Sequence, residues 1–231
     1  MGSRFASRLR NPHWKTRARS RFEERGRRSD PRNRGRRHGA RAPSRNSGLL
    51  SGRWTVDARR VERPEDLCLS CGLCCDGTLY DLVTLEPTDD AQKLKRLGLP
   101  VALSRGKTPV ARFPQPCVAL CGDRSCRVYA DRPEQCRVFE CGVLKDLKAE
   151  RITSAVALRQ VTKARQRSDQ VRRRLRELGD TDEHRALGER FHRTSERLEA
   201  GGIDEATKAK YADLSLAVHH LKLQVFGKFY R

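Results

Sequence analysis

The sequence is poor in the large side chains that fill a protein core. Of its 231 residues only 6% are aromatic and a single one is methionine, whereas 34% are charged. This supply is thin for one well-packed core of that length, so we expect a compact part and a disordered part. No apolar run approaches the ~18 residues that a membrane-spanning helix needs. The sequence therefore predicts no membrane partner.

The N-terminal region also lacks the apolar stretch of a secretory signal. We therefore expect a cytoplasmic, reducing location, where clustered cysteines act as metal ligands or redox groups more often than as disulfides. The sequence contains no P-loop, dinucleotide-binding, nucleophile-elbow or zinc-protease motif. Whether the chain is an enzyme stays open on this information.

Positive charge is distributed unevenly along the chain. The net charge is +21, and residues 1–48 contribute +13 of it through 16 basic and 3 acidic residues. Because this segment holds few apolar side chains, we predict a disordered arginine-rich arm over residues 1–48. Such an arm is typical of nucleic-acid binding, with Trp14 or Phe22 stacking on bases. A solvated tail without a partner is the alternative.

Cysteine is confined to two blocks of the chain. The first cysteine block, residues 68–75, has the pattern C-x2-C-x2-C-C, and the second cysteine block spans residues 117–141. Two residues between cysteines let both sulfurs reach one metal ion or one cluster edge. Adjacent Cys74 and Cys75 side chains point in different directions, so one of them is expected to serve a second metal or to join ligands from the later block. Nine thiols suffice for two four-sulfur sites with one thiol left over.

Thiolates are soft ligands that bind Zn²⁺ or iron–sulfur clusters. Three other interpretations of these cysteines stay open: burial as small apolar groups, disulfide pairing, and a nucleophilic thiol. Cys121 and Cys141 are the candidates for a nucleophile, but residues 49–150 contain no histidine that could act as its base. His219 and His220, in the C-terminal part, are further candidate metal ligands.

The cysteine motifs resemble those of the YkgJ-type cysteine cluster family, which comprises zinc- or iron-chelating domains. The resemblance covers about residues 66–142 and rests on C-x2-C-x2-C-C at 68–75, Pro116-Cys117, Cys126-Arg127-Val128-Tyr129, Arg132-Pro133 and Cys136-Arg137-Val138-Phe139. It implies metal ligation by Cys68, Cys71, Cys74, Cys75, Cys117, Cys126 and Cys136, with Cys141 as an eighth ligand. Cys121 looks like an addition to the family pattern.

We expect an α-rich α+β fold with three parts. After the arm, residues 49–148 are predicted to form a small metal-nucleated cysteine domain with short β-strands. One strand is expected within residues 78–85 and another within residues 126–129. Between them the pattern predicts a short helix capped by Thr88, followed by an extended loop over residues 100–116.

Residues 149–231 are predicted to be C-terminal helices that form a hairpin or a three-helix bundle. A coiled-coil-like heptad seam runs through the first helix and consists of Ala157, Val161, Ala164, Ser168, Val171, Leu175 and Leu178. Asp180 or Thr181 is expected to cap the second helix and Asp204 the third. The arginine run 172–174 is expected to lie mostly on the solvent face. These helices are candidates for docking a protein partner.

The favoured interpretation of the whole chain is a metal-binding cysteine-cluster protein. An iron–sulfur redox or protein-modifying enzyme is one alternative, because a flagellin lysine methylase has a similar cysteine motif. The chain shows no methyl-donor-binding glycine motif in its favour. The other alternative is an RNA-associated protein that uses residues 1–48.

Overall fold

The computed structural model describes residues 63–105 and 107–231, and these residues belong to one compact unit. The predicted arm over residues 1–48, and the nucleic-acid partner predicted for it, lie outside the described residues. The helices described are α1 (Asp66–Cys71), α2 (Ala91–Arg96), α3 (Glu134–Val138), α4 (Gly142–Lys148), α5 (Ser154–Glu177), α6 (Leu187–Ala200) and α7 (Glu205–Lys228). The strands are β1 (Leu82–Thr84), β2 (Ala102–Leu103) and β3 (Ala111–Pro114).

The three strands form an antiparallel sheet in the order β1-β3-β2. Val83 pairs with Phe113 in the register of this sheet, and both side chains are buried. A small sheet within a mainly helical chain confirms the α-rich α+β class. The strand expected within residues 78–85 is present but shorter, and it is limited to β1.

Two loop and strand predictions were wrong. The region 100–116, predicted to be an extended loop, contains the strands β2 and β3. Its prolines do not prevent this, because they lie beside the strands or at their ends. Pro114, for example, is the last residue of β3, where a missing N–H is tolerated. Residues 126–129 form no strand beyond an isolated bridge between Leu120 and Cys126. A turn follows at once, in which the Tyr129 N–H donates to the Cys126 carbonyl.

Two of the predicted helix caps also differ. The side chain of Asp90, not Thr88, caps α2 by accepting a hydrogen bond from the Lys93 N–H at 2.8 Å. Helix α6 begins after Ala186 rather than at Asp180 or Thr181. Asp180 instead forms a buried ion pair with Arg190 at 2.7 Å, so its carboxylate is not available as a cap.

Helix α5 is the centre of the helical part and packs against α1, α4, α6 and α7. The predicted heptad seam is confirmed, because all seven of its side chains are buried. Asp204 caps α7 as predicted and accepts a hydrogen bond from the Thr207 N–H. We call this apolar cluster the helical core: it contains 20 buried residues drawn from the first cysteine block, the segment after it and helices α4 to α7.

A second, smaller cluster lies around the sheet, and we call it the sheet core. Its eight buried residues are Val83, Leu85, Leu94, Leu99, Val101, Phe113, Ala119 and Val128. They come from the strands, from α2 and from the second cysteine block. The described part therefore contains two apolar clusters of unequal size, and the cysteines lie between them.

Helix α7 is apolar on a second face as well. Leu216, Leu223 and Phe226 are between 41% and 60% exposed, on the side away from the buried residues of the helix. The protein partner predicted for the C-terminal helices stays a prediction. None of the helices in the described part combines the length and the apolar character needed to cross a bilayer.

Candidate metal centre

The first cysteine block forms a helix followed by a tight turn. Helix α1 ends at Cys71, and Gly72 adopts a left-handed conformation with φ 68°, which a glycine reaches without strain. The N–H groups of Cys75 and Asp76 both donate to the Gly72 carbonyl. This turn presents Cys74 and Cys75 next to each other but toward different neighbours.

Backbone pairing brings the second block against the first. Beyond the end of β3, the Gln115 N–H donates to the Asp81 carbonyl at 2.9 Å, and the Cys117 N–H donates to the Cys75 carbonyl at 2.7 Å. Helix α3 is held near the same place because the side chain of Gln135 accepts a hydrogen bond from the Thr84 N–H. Two cysteines far apart in sequence thereby approach Cys75, namely Cys117 and, on α3, Cys136.

Cys141 is positioned by the C-terminus of the chain. It is the N-cap residue of α4, and the next residue, Gly142, donates its N–H to the Phe229 carbonyl at 2.9 Å. A Cβ atom at Gly142 would lie 2.5 Å from the Lys228 carbonyl oxygen. Only glycine allows this close approach, so the end of α7 and the Cys141 region are locked together.

All eight cysteines predicted as ligands line one cavity, which we call the cysteine cavity. Its volume is about 120 Å³. Cys121 is not among its lining residues; it lies in the turn over residues 121–125, where its N–H donates to the Ser125 carbonyl. The residue that departs from the family pattern is therefore the one cysteine that does not border the cavity.

The eight thiols fall into two groups by their mutual electrostatics. The negative charges of ionised Cys68 and Cys141 raise the pKa of Cys71, and they also raise that of Cys74. The thiols whose charges act on Cys75 are different ones, Cys136, Cys117 and Cys126. We define the first thiol set as Cys68, Cys71, Cys74 and Cys141, and the second thiol set as Cys75, Cys117, Cys126 and Cys136. The adjacent pair at 74–75 also interacts across the division.

Apolar packing divides the thiols in the same way. Cys71, Cys74 and Cys141, all of the first set, pack against the helical core. The cysteines that pack against the sheet core are Cys117, Cys126 and Cys136, all of the second set. Each thiol set is thus attached to its own apolar cluster.

Burial raises the pKa of several thiols of the cavity above the ordinary value of a cysteine. It raises the pKa of Cys68 to about 11 and those of Cys75 and Cys136 to about 12, with neighbouring thiols adding to the effect. Burial also raises the pKa of Cys74 well above its usual range. In the absence of metal these thiols are therefore protonated at neutral pH, and a metal ion would have to displace their protons.

Backbone N–H groups partly oppose this effect at three positions. After the larger effect of burial, the N–H of Leu73 lowers the pKa of Cys71, and the N–H groups of Val143 and Leu144 lower that of Cys141. The N–H of Ala119 does the same for Cys117. Each of these cysteines has a donor two residues further along, and Cys141 has a second one three residues along, so the backbone is arranged to stabilise a thiolate at these positions.

The donor set fits a thiolate-bound metal, although the side chains are not gathered into a tight site. In the described part of the chain, no three His, Cys, Asp or Glu side chains stand close enough to hold a metal ion. All nine cysteines are free thiols. Protonated thiols form only weak hydrogen bonds with one another, whereas a thiophilic metal ion binds up to four thiolates at once. The fit therefore rests on the chemistry and the grouping of the donors.

Comparison with protein families gives one match. Residues 67–163 match the CxxCxxCC family model, described as "Putative zinc- or iron-chelating domain". Over these residues the chain is similar to this family. No curated protein and no solved structure matches the chain. The family match supports metal binding in general terms, and it confirms the resemblance derived from the cysteine motifs.

The match extends beyond the cysteines into the first turns of α5. Just after the end of the match, α5 contacts the first cysteine block and the segment after it. Arg165 on α5 donates a hydrogen bond to the Ser70 carbonyl in the last turn of α1. The hydroxyls of Ser168 and Thr78 are 2.7 Å apart in the core. Helix α5 is thus part of the support of the first cysteine block.

Arg172 does not lie on the solvent face, although its place in the arginine run predicted that it would. Its guanidinium donates to the Asp76 carbonyl at 3.0 Å and to the Thr78 hydroxyl, and it lies 3.3 Å from the Asp76 carboxylate. Arg124 pairs with the same carboxylate at 3.0 Å. The network around Asp76 was not predicted from the sequence. No periodicity or spacing would have revealed it, because the three residues are far apart in sequence.

None of the histidines in the described part of the chain lines the cysteine cavity. His219 and His220 are both exposed on α7, with ring centroids 6.1 Å apart. A metal site there would have to recruit a third ligand from solvent or from another molecule. The nucleophile interpretation likewise gains no support, since neither Cys121 nor Cys141 has a histidine base among its described contacts.

Proposed function

We propose that this domain binds metal through the two thiol sets, with four sulfur ligands in each. The observation that carries the proposal is that apolar packing assigns six of the eight thiols, three to each core, in the same way as their electrostatic grouping does. Four thiolates are the ligand set of many structural zinc sites and of iron–sulfur clusters. The adjacent cysteines at 74 and 75 then belong to different centres.

A bound metal would connect segments that are distant in the chain. In the first set it would join residues 68–74 to Cys141, and in the second set it would join Cys75 to residues 117–136. A zinc ion would supply a structural cross-link, and an iron–sulfur cluster would in addition accept or donate electrons. We propose that such cross-links nucleate the cysteine domain.

Two arginines on the cavity wall support an anionic centre. Four thiolates around a divalent cation leave a net charge of roughly −2. Arg124 and Arg132 both line the cysteine cavity. The positive charge of Arg132 acts on Cys68 of the first set and on Cys136 of the second, where it opposes the larger effect of burial and lowers the pKa of each thiol. Arg132 is held over the Tyr129 ring at 3.6 Å from the centroid.

Metal analysis of protein purified without oxygen tests the proposal. Zinc, iron and labile sulfide are measured on the wild type and on Cys71→Ser, Cys136→Ser and Cys121→Ser. We expect Cys71→Ser to lose the metal of the first set and Cys136→Ser that of the second, each about half of the total. Cys121→Ser is the matched control and is expected to retain all of it, because its thiol does not border the cavity.

Two results would contradict the two-site proposal. If Cys71→Ser retained full metal content and an unchanged melting temperature, metal binding by the first block would be refuted. If Cys71→Ser and Cys136→Ser each lost all metal, a single shared centre would replace two separate ones.

The same measurement separates the classes of function. Iron together with labile sulfide would favour the iron–sulfur redox or protein-modifying alternative, and stoichiometric zinc would favour a structural centre. The RNA-associated alternative depends on residues 1–48, outside the described residues, and stays a prediction. The cytoplasmic location stays a prediction as well.

A further inference from the structure

The wall of the cysteine cavity contains a buried hydroxyl group without a partner. The ring of Tyr80 packs edge-on against Phe139, with centroids 5.0 Å apart, and against Tyr230, with centroids 6.4 Å apart. The Tyr80 hydroxyl is buried and has no hydrogen-bond partner among the described residues. Leaving a buried hydroxyl unpaired costs free energy, so such a group calls for an explanation.

Thiols of the first set lie near this side chain. Tyr80 packs against the helical core together with Cys71, Cys74 and Cys141. Burial raises the pKa of Tyr80 far above its usual range, and the charge of Cys74 adds to this effect ahead of those of Tyr230 and Cys141. Its own ring and all three thiols line the cysteine cavity.

Two other polar groups near Tyr80 cannot donate a hydrogen bond to a thiolate as its hydroxyl could. The side-chain oxygen of Gln115 is also buried without a partner on the cavity wall, but it is an acceptor and offers nothing to a thiolate. The Tyr230 hydroxyl is already satisfied, because it donates to the Leu79 carbonyl. Tyr80 is thus the unpaired donor of this wall.

We propose that Tyr80 donates a hydrogen bond to a metal-bound thiolate of the first set, with Cys74 as the acceptor. The inference rests on the proposed metal binding. A protonated thiol is a poor acceptor, whereas a thiolate ligand is a strong one, and this bond would form as metal binding draws the thiolates together. Tyr80 is accordingly a positioning residue that stabilises the negative charge of the loaded centre, and it is ready before the metal arrives.

Cobalt titration tests this role with two matched variants, Tyr80→Phe and Tyr230→Phe. Metal-free, reduced, full-length protein is titrated with Co²⁺ under anaerobic conditions against a competing chelator. Groups that hydrogen-bond to metal ligands typically change metal affinity by ~10–100-fold, so we expect Tyr80→Phe to weaken Co²⁺ binding within that range. We also expect its thiolate-to-cobalt charge-transfer band to move to lower energy, because a thiolate without the hydrogen bond gives up an electron more readily. Tyr230→Phe is expected to leave both unchanged.

The stability of the metal-free protein separates this role from a packing effect. Tyr80→Phe removes an unpaired buried hydroxyl, so the melting temperature of the metal-free protein is expected to stay the same or rise. Tyr230→Phe removes a satisfied hydrogen bond and is expected to lower it. The two variants therefore have opposite signatures: one affects the loaded centre and the other the metal-free fold.

Each outcome has a defined meaning. If Tyr80→Phe binds Co²⁺ as tightly as the wild type with an unshifted band, the role of Tyr80 is refuted and the metal centre stands. If Tyr80→Phe is unfolded without metal, or loses affinity without any band shift, the hydroxyl acts through packing and the inference is overturned. If the wild type itself gives no thiolate-to-cobalt band, the proposed metal binding fails instead.

Discussion

The helical core contains 20 buried residues, whereas the sheet core contains eight. The long helices α5 and α7 pack along one another in the first, while the second is built on strands of two to four residues and a six-residue helix. Short strands with a small apolar cluster are marginally stable by themselves. We therefore expect metal to stabilise the two regions unequally. Around the helical core it would add to the stability of an existing core, whereas around the sheet core it would substitute for apolar packing that is missing.

The two regions also differ in how their thiols are supported. Around the first set, α5 holds the chain through Arg172 and Arg165, and the end of α7 holds Cys141 through Gly142. Around the second set, support comes mainly from backbone pairing next to Cys117 and from a side-chain bond between α3 and β1. A small core and few buried side-chain anchors leave the second set more dependent on its ligand.

Metal removal is expected to have the largest effect and to divide the two regions. Structural zinc sites contribute on the order of 10 kcal/mol to folding. We expect chelation to abolish amide protection in β1 and β3 while α5 and α7 keep most of theirs. Hydrogen exchange before and after anaerobic chelation, with zinc or iron restored as the control, measures this. Equal loss in strands and helices would show that the two regions depend on metal alike.

Truncating one buried side chain in each core should show the same difference between the two regions, with a smaller effect than metal removal. Phe113 in the sheet core and Leu221 in the helical core are each 1% exposed, which makes them a matched pair. Phe113→Ala and Leu221→Ala are each expected to lower the free energy of unfolding by ~2–5 kcal/mol, from lost apolar contact and the cavity left behind. Phe113→Ala should also release the metal of the second set and leave that of the first.

Denaturant unfolding gives the free energies, and metal analysis of each variant gives the selectivity. If Phe113→Ala released metal from both sets in proportion, the two apolar clusters would behave as one unit.

The ion-pair network behind Asp76 offers a test of the support from α5. Arg172→Met removes the bonds to the Asp76 carbonyl, its carboxylate and the Thr78 hydroxyl, and leaves buried acceptors less well satisfied. Hydrogen bonds to charged groups contribute ~1.5–3 kcal/mol, so we expect a loss of about that size. Arg173→Met, one residue along and exposed, is the control and should change stability by less than ~0.5 kcal/mol. Thermal unfolding of the two variants checks this, and equal effects would contradict the network.

The smallest predicted effect concerns the cap of α2, which supplies Leu94 to the sheet core. Asp90→Ala should destabilise the protein by ~1 kcal/mol, because the Lys93 N–H loses its acceptor. Thr88→Ala, at the exposed position first expected to be the cap, should have almost no effect. The midpoints of urea unfolding compare the two, and a larger loss for Thr88→Ala would argue against the observed cap.

Local chemistry explains why parts of the fold were predictable. The heptad seam in α5 follows from apolar spacing alone, and the Asp204 cap follows from a side chain that bonds its own helix three residues ahead. The start of α6 could not be predicted, because Asp180 is taken up by an ion pair with Arg190, which lies in the helix itself. The strand β3 was missed because it pairs with β1, about thirty residues earlier in the chain. The strand β2, which pairs with β3, has only two residues and is too short for a sequence pattern.

The sequence by itself determined the donor chemistry: nine cysteines, two blocks, and spacings that match a zinc- or iron-chelating family. These are local properties, since two residues between cysteines limit the distance between sulfurs in any fold. Only the tertiary structure decided that Cys121 lies off the cavity, that Cys74 and Cys75 face different thiols, and that Tyr80 lines the cavity with a buried hydroxyl that has no partner among the described residues. Those facts depend on which distant segments pack together, through the approach of Cys117 to Cys75 and of the end of α7 to Gly142. Spacing along the chain carries no information about such contacts.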